Sequence, residues 1–210
     1  VIVDRKKKLG SNMEQETDLS NLSRNGTGDR KLVKLALVGP ECSGKTTLAG
    51  KLAEVFNEPF VEEYSREYLA ELGRNYNQDD LLEIAKGQLE REYLVAEKAN
   101  HFLICDTNTL VVKIWAEQRF GRAQNWIERQ FLEKPYQLYI LCGHEGIDWE
   151  YDDLRENPDD RSDLYDCYKK ALVKAGKRFI EVEGTIEERI ERINKSLKRN
   201  RLLPRKSTSV

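Results

Sequence analysis

The stretch LALVGPECSGKTTLAGKLAEVF, Leu35–Phe56, decides the fold. An apolar run stops at Gly39, a short loop follows, and Gly44-Lys45-Thr46 opens a helical pattern. Residues 39–46 match G-x-x-x-x-G-K-[ST]. Glycines let the backbone turn its N–H groups inward toward an anion, and the helix that follows adds its positive end. The nucleotide-binding residues read from this pattern are Gly39, Pro40, Glu41, Cys42, Ser43, Gly44, Lys45, Thr46 and Thr47. Lys45 is placed to reach the β- and γ-phosphates, and the Thr46 hydroxyl to ligate Mg²⁺. A strand before and a helix after give the setting that separates this motif from an ordinary glycine turn.

Outward from the loop the pattern alternates. KLVKLALV, EPFVEE, HFLICD, YQLYILC and KRFIEV read as strands. Helical segments are expected from Lys45, over 64–73 and 79–99, up to Phe120, over 124–133, and from Thr185 to about Asn200. Strands alternating with helices imply an α/β fold, a parallel sheet covered on both faces. The domain is expected over residues 31–200, with a polar, disordered N-terminal tail over 1–30 and a frayed C-terminal tail over 201–210. The chain begins with Val1 and its only methionine is Met13, which suggests a fragment or a start at Met13.

The 210 residues suffice for one good-sized domain. A composition of 39% hydrophobic and 34% charged residues fits a soluble globular protein. A net charge of -2 gives no field that would attract nucleic acid. No apolar run approaches the about 18 residues of a membrane span, so a cytoplasmic address is expected. Cys42, Cys105, Cys142 and Cys167 occur in loop, strand-end and helical settings, with no zinc spacing, and read as reduced thiols.

Candidate chemistry gathers where the strands end. Asp106 closes HFLICD, beyond the carboxyl end of a parallel strand where ligands sit. It can support Mg²⁺ or accept the proton of an acceptor hydroxyl; the plainer reading is an N-cap for the next helix. Glu62 and Glu63 end the second strand, with Arg66 one helical turn on, which suits a sugar hydroxyl and a phosphate or ion-pair partner. GIDWEYDDLRENPDDRSD, Gly146–Asp163, reads as a flap whose Arg155 and Arg161 can stabilise charge on a transferring phosphoryl group, or as a solvated loop. His101 and His144 have no metal-spaced partner and carry no functional reading, Trp115 and Trp126 read as packing residues, and Trp149 as core or rim.

The D-x-x-G and N-K-x-D signals of a GTPase are absent, which favours a small-molecule kinase. The phosphate loop, Glu63-Tyr64-Ser65-Arg66-Glu67, Ile104-Cys105-Asp106-Thr107 and Trp149 to Arg155 together resemble the ribosylnicotinamide kinase domain of bacterial NadR proteins over roughly residues 33–199. The resemblance implies a P-loop NTPase sheet of order 2-3-1-4-5 and transfer of the ATP γ-phosphate to the 5′-hydroxyl of nicotinamide riboside, with Mg²⁺. It implies that Lys45 and Thr46 hold phosphate and metal. Asp106 and Glu63 would then face the acceptor, Tyr64 and Arg66 line the substrate side, and Arg155 close the flap. The sequence departs from the family in having Asp153 where a glycine is expected. Full-length relatives carry a nucleotidyltransferase domain, and some a DNA-binding domain, before the kinase region, where residues 1–30 here read as a tail, so those activities are not expected to carry over. Two alternatives stand beside this reading: a kinase for another nucleoside, and a regulatory P-loop ATPase acting on a macromolecule.

Overall fold

The computed structural model describes residues 32–134, 136–150 and 160–204. The expected tail over 1–30 lies outside them. Parallel strands β1 (Val33–Val38), β2 (Phe60–Val61), β3 (Phe102–Asp106), β4 (Leu138–Cys142) and β5 (Phe179–Val182) form one sheet of order β2-β3-β1-β4-β5, as expected. β1 is central. Its residue Leu37 pairs with Asp106, Val38 with Leu141, and Cys142 with Val182, so the carboxyl ends lie side by side along one edge.

Both faces of the sheet are buried, which is why the strands read as near-continuous apolar runs. Alternation along β1 sends Leu35 and Leu37 to one face and Ala36 and Val38 to the other. The first face packs on α1 (Lys45–Phe56) and α7 (Ile186–Arg199) through Leu48, Leu52, Ile193 and Leu197. The second packs on α4 (Thr109–Phe120), α5 (Asn125–Glu133) and α6 (Arg161–Lys174) through Leu110, Ile114, Phe131, Leu164 and Leu172. α2 (Tyr64–Leu72) and α3 (Gln78–Ala96) link β2 to β3. The start of α3 is set by a capping box: the Asn77 side chain accepts from the Asp80 N–H, and the Asp80 carboxylate accepts from the Asn77 N–H.

Two boundaries differ from the sequence reading. α6 begins at Arg161 and so takes in the last three residues of the expected flap, and the only sign of it in the sequence was the helical setting of Cys167. Beyond α7, Leu202 and Leu203 pack against the α1–α7 core, and the His101 ring lies 2.8 Å from the Leu202 carbonyl oxygen. The chain from 201 to 203 is therefore docked rather than frayed, because two adjacent leucines find apolar cover. No helix among the described residues is long and apolar enough to cross a membrane.

Candidate active site

β1 delivers the chain into the phosphate loop against β4. A Cβ on Gly39, whose φ is 141°, would lie 2.5 Å from the Cys142 carbonyl oxygen, so glycine alone fits. Gly44, with φ 76°, is the N-cap of α1. The loop thus wraps the amino end of that helix, where N–H groups lack helical partners and the dipole favours an anion. The Lys45 ammonium is drawn into the loop, donating to the Gly39 carbonyl at 3.0 Å and the Pro40 carbonyl at 2.7 Å. Thr46 and Thr47 are exposed on the first turn of α1.

Asp106 lies beside Thr46 and is only 1% exposed. Burial pushes its carboxyl up to about 6; the Thr46 hydroxyl and the Lys45 and Arg66 charges pull the other way, and Glu63 adds to the rise. Its Oδ1 has no hydrogen-bond partner among the described residues. The N-cap reading of Asp106 fails, because Asn108 caps α4 by accepting from the Leu110 N–H at 3.0 Å. A buried carboxylate oxygen lacking a donor, next to a hydroxyl, is a hard oxygen set that suits Mg²⁺ held mostly by phosphates and water. No group of three or more His, Cys, Asp or Glu able to cage a metal occurs among the described residues.

Gln88 of α3 fixes the second corner. It is 2% exposed, accepts from the Tyr64 N–H at 2.8 Å and donates to the Glu62 carbonyl at 3.3 Å. Glu63 is thereby turned inward: Oε1 accepts from the Ser65 hydroxyl at 2.7 Å, and Oε2 lies 3.7 Å from Arg66 Nε. Glu63, Ser65 and Arg66 face the phosphate loop across a cleft of about 820 Å³. Glu62 does not line it and is exposed.

Tyr64 does not line the cleft either. Its ring lies over Gly87, where a Cβ would meet Tyr64 Cε1 at 2.1 Å, and the Arg91 guanidinium sits 5.0 Å from the ring centroid. The notch left by a missing side chain and a cation–π contact hold it against α3, away from the substrate side.

The cleft takes its far wall from Leu69 of α2 and from Val111, Ile114, Trp115, Gln118 and Arg119 of α4. That wall was not foreseen. A stripe at this spacing on a helix beside an apolar strand resembles a core face, and nothing local in the sequence says that half of it stays open. Trp115, expected to be packing, is held by a 3.0 Å hydrogen bond from its Nε1 to the Tyr76 hydroxyl and is half-buried in the cleft wall.

Of the flap, the foot is described. Ile147, Asp148 and Glu150 line the cleft, the Glu150 N–H lies 3.4 Å from Cys42 Sγ, and Arg161 donates to the Ile147 carbonyl at 2.9 Å while covering the Trp149 ring at 5.9 Å. Arg155, with Asp152, Asp153 and Leu154, lies outside the described residues. A second residue that sequence reasoning missed is Arg189 of α7, 1% exposed, which donates to the Ser43 carbonyl at 2.7 Å, Gly184 at 3.0 Å and Gly143 at 3.1 Å.

Residues 34–189 match the family described as AAA domain. The chain is similar to the trifunctional NAD biosynthesis/regulator protein NadR of Escherichia coli, 27% identical over 157 residues that make up 71% of this chain and 38% of that protein. The protein of the same name from Salmonella typhimurium is 29% identical over 127 residues, 58% of this chain and 30% of that one. This chain thus spans well under half the length of the curated relatives it matches. Among solved structures, a NadR protein in complex with NR superposes with a TM-score of 0.67 at 18% identity, covering 85% of this chain and 54% of that one. Deoxyadenosine kinase from M. mycoides with dcmp and a flexible dcdp gives 0.53 at 14% identity, covering 79% of this chain and 99% of that one.

Proposed function

We propose, from the premise that the chain belongs to the AAA domain family over residues 34–189, that it transfers the γ-phosphoryl group of ATP to the 5′-hydroxyl of nicotinamide riboside, forming nicotinamide mononucleotide for NAD salvage. The observation that carries this reading is the cleft itself. A phosphate loop at the carboxyl edge of a parallel sheet faces a carboxylate, an arginine and an open indole across a space large enough for a nucleotide and a nucleoside together. The similarity to NadR proteins and to one bound to NR supports the choice of acceptor.

The chain's own groups divide the work by where they stand. Lys45 and the backbone N–H groups of residues 41–47 hold the β- and γ-phosphates. Glu63 lies on the acceptor side of the cleft and is placed to orient the sugar hydroxyl and take its proton. Asp106, beside Thr46 and sealed from solvent, belongs with Thr46 on the Mg²⁺ side. Bound there, Mg²⁺ would neutralise charge on the phosphates. Arg66 and Glu63 line the cleft together, and Trp115 lines it too, as an aromatic partner of the kind a cationic pyridinium would take. Arg155 retains its proposed role of closing the flap over the transferring group. Tyr64 is withdrawn from the substrate contacts. A cytoplasmic setting accompanies this reading, supported by four unpaired thiols.

The deciding experiment is a mass-spectrometric assay with Mg-ATP and a nucleoside panel. Nicotinamide mononucleotide formed faster than any other product supports the assignment. Rapid product from a purine or pyrimidine nucleoside instead would move it to a general nucleoside kinase. No product with any nucleoside would leave the regulatory ATPase.

A further inference from the structure

We infer that Arg189 is a positioning residue for the phosphate loop, holding the Ser43–Gly44 peptide with its N–H toward the nucleotide and placing an uncompensated positive charge directly behind it. The inference rests on the reading of residues 39–47 as an ATP site.

Three observations converge. Arg189 is 1% exposed, a guanidinium almost wholly removed from water. Among the described residues its donors go only to backbone carbonyls, those of Ser43, Gly143 and Gly184. Among the described residues no carboxylate lies within ion-pair distance of it. A buried cation of this kind is costly unless an anion answers it. The three carbonyls belong to the loops that leave β1, β4 and β5, which all meet at the carboxyl edge. The anion placed to answer the charge is the polyphosphate on the other face of the Gly39–Thr47 loop.

The geometry of the peptide gives the second half of the argument. In a trans peptide the carbonyl and the following N–H point in opposite directions. Ser43 O points at Arg189 Nη1, 2.7 Å away, so the Gly44 N–H points away from Arg189. Gly44 lines the cleft, and a Cβ on it would lie 3.6 Å from Arg189 Nη1, so the loop here is one peptide thick. The guanidinium is itself held in place. Its Nε bonds Gly184 O one turn back, and α7 is started firmly by a capping box between Thr185 and Glu188. Arg189 touches neither substrate in this arrangement and acts through the loop backbone.

A charge behind the loop acts on phosphates in proportion to their number and leaves an uncharged ribose unaffected. A purely structural tie does not discriminate in this way. The test is therefore equilibrium binding of ATP, ADP, AMP and nicotinamide riboside to wild type, Arg189→Met and Arg189→Lys, each shown folded by circular dichroism. Arg189→Met should weaken ATP by roughly 10- to 100-fold, ADP less, AMP least, and nicotinamide riboside by no more than about 2-fold. Arg189→Lys should recover most of the graded loss, since it keeps the charge and loses only the fork. If Arg189→Met does not fold, Arg189→Gln replaces it, keeping N–H donors for the carbonyls without the charge. Equal weakening of every ligand, or no weakening, would overturn the inference. So would a requirement for the cation in folding alone, with Met and Gln both unfolded and Lys folded. If wild type binds no ATP, the functional reading fails rather than this one.

Discussion

Asp106→Asn should make the ligand-free protein gain stability relative to wild type as pH rises, while abolishing most turnover. The sign follows from burial. The Asp106 carboxyl is raised from the ordinary 3.8 to about 6, so the folded protein resists its ionisation. A group of this kind contributes stability that is fully present below 3.8 and lost as pH rises through about 6. The gap between the two values corresponds to about 3 kcal/mol at pH 8, of which about 1 kcal/mol is already lost at pH 4.5. Between those pH values the stability difference between Asn and Asp proteins should therefore move by about 2 kcal/mol in favour of Asn. Comparing the change with pH cancels whatever hydrogen bond Asn gains or loses beside Thr46. Urea denaturation of both proteins at pH 4.5, 6 and 8, without nucleotide or metal, measures it. A difference that stays flat across this range, or moves toward Asp, would refute the argument. It would mean that the buried oxygen is not kept short of partners for a cation.

Three further outcomes are expected. Lys45→Ala should lower turnover by ~10³-fold or more, read in a coupled ADP assay, because on the proposed function its charge would stabilise the transferring group. Glu63→Gln should lower turnover by ~10²-fold while ATP affinity measured by calorimetry stays within about 2-fold. Gly87→Ala should cost about 1–3 kcal/mol in a denaturant titration, because a Cβ there collides with the Tyr64 ring at 2.1 Å; unchanged stability would mean the ring lies elsewhere.

The strands and the phosphate loop were legible because their signals are local. A loop of fixed spacing between an apolar strand and a helix carries its own geometry, and runs such as LYILC declare a sheet buried on both faces. The sheet order came from family resemblance, not from any strand's own sequence. Other features depended on partners distant in sequence. Tyr64 followed a plausible acidic corner, but Gly87 and Arg91, more than twenty residues on, decide where its ring goes. Arg189 stands in a segment dense in charge, EERIER, and nothing local marks it as the side chain that is buried against three loop carbonyls. Trp115 reads as core by spacing, and only the assembled fold shows that it lines the cleft beside Leu69 of α2.

The central place of β1 has a consequence for engineering. β4 and β5 lie on one side of it, and their exit loops are tied to the phosphate loop through Arg189. β3 and β2 lie on the other, and α2 and α4, which flank them in sequence, supply the opposite wall. The two half-sites thus share β1 and meet again at Asp106, where the end of β3 lies beside Thr46. On the proposed function, recombining the wall positions of α2 and α4 with those of a nucleoside kinase would exchange the acceptor wall, leaving the phosphate loop, its glycines and its buried arginine as a reusable chassis.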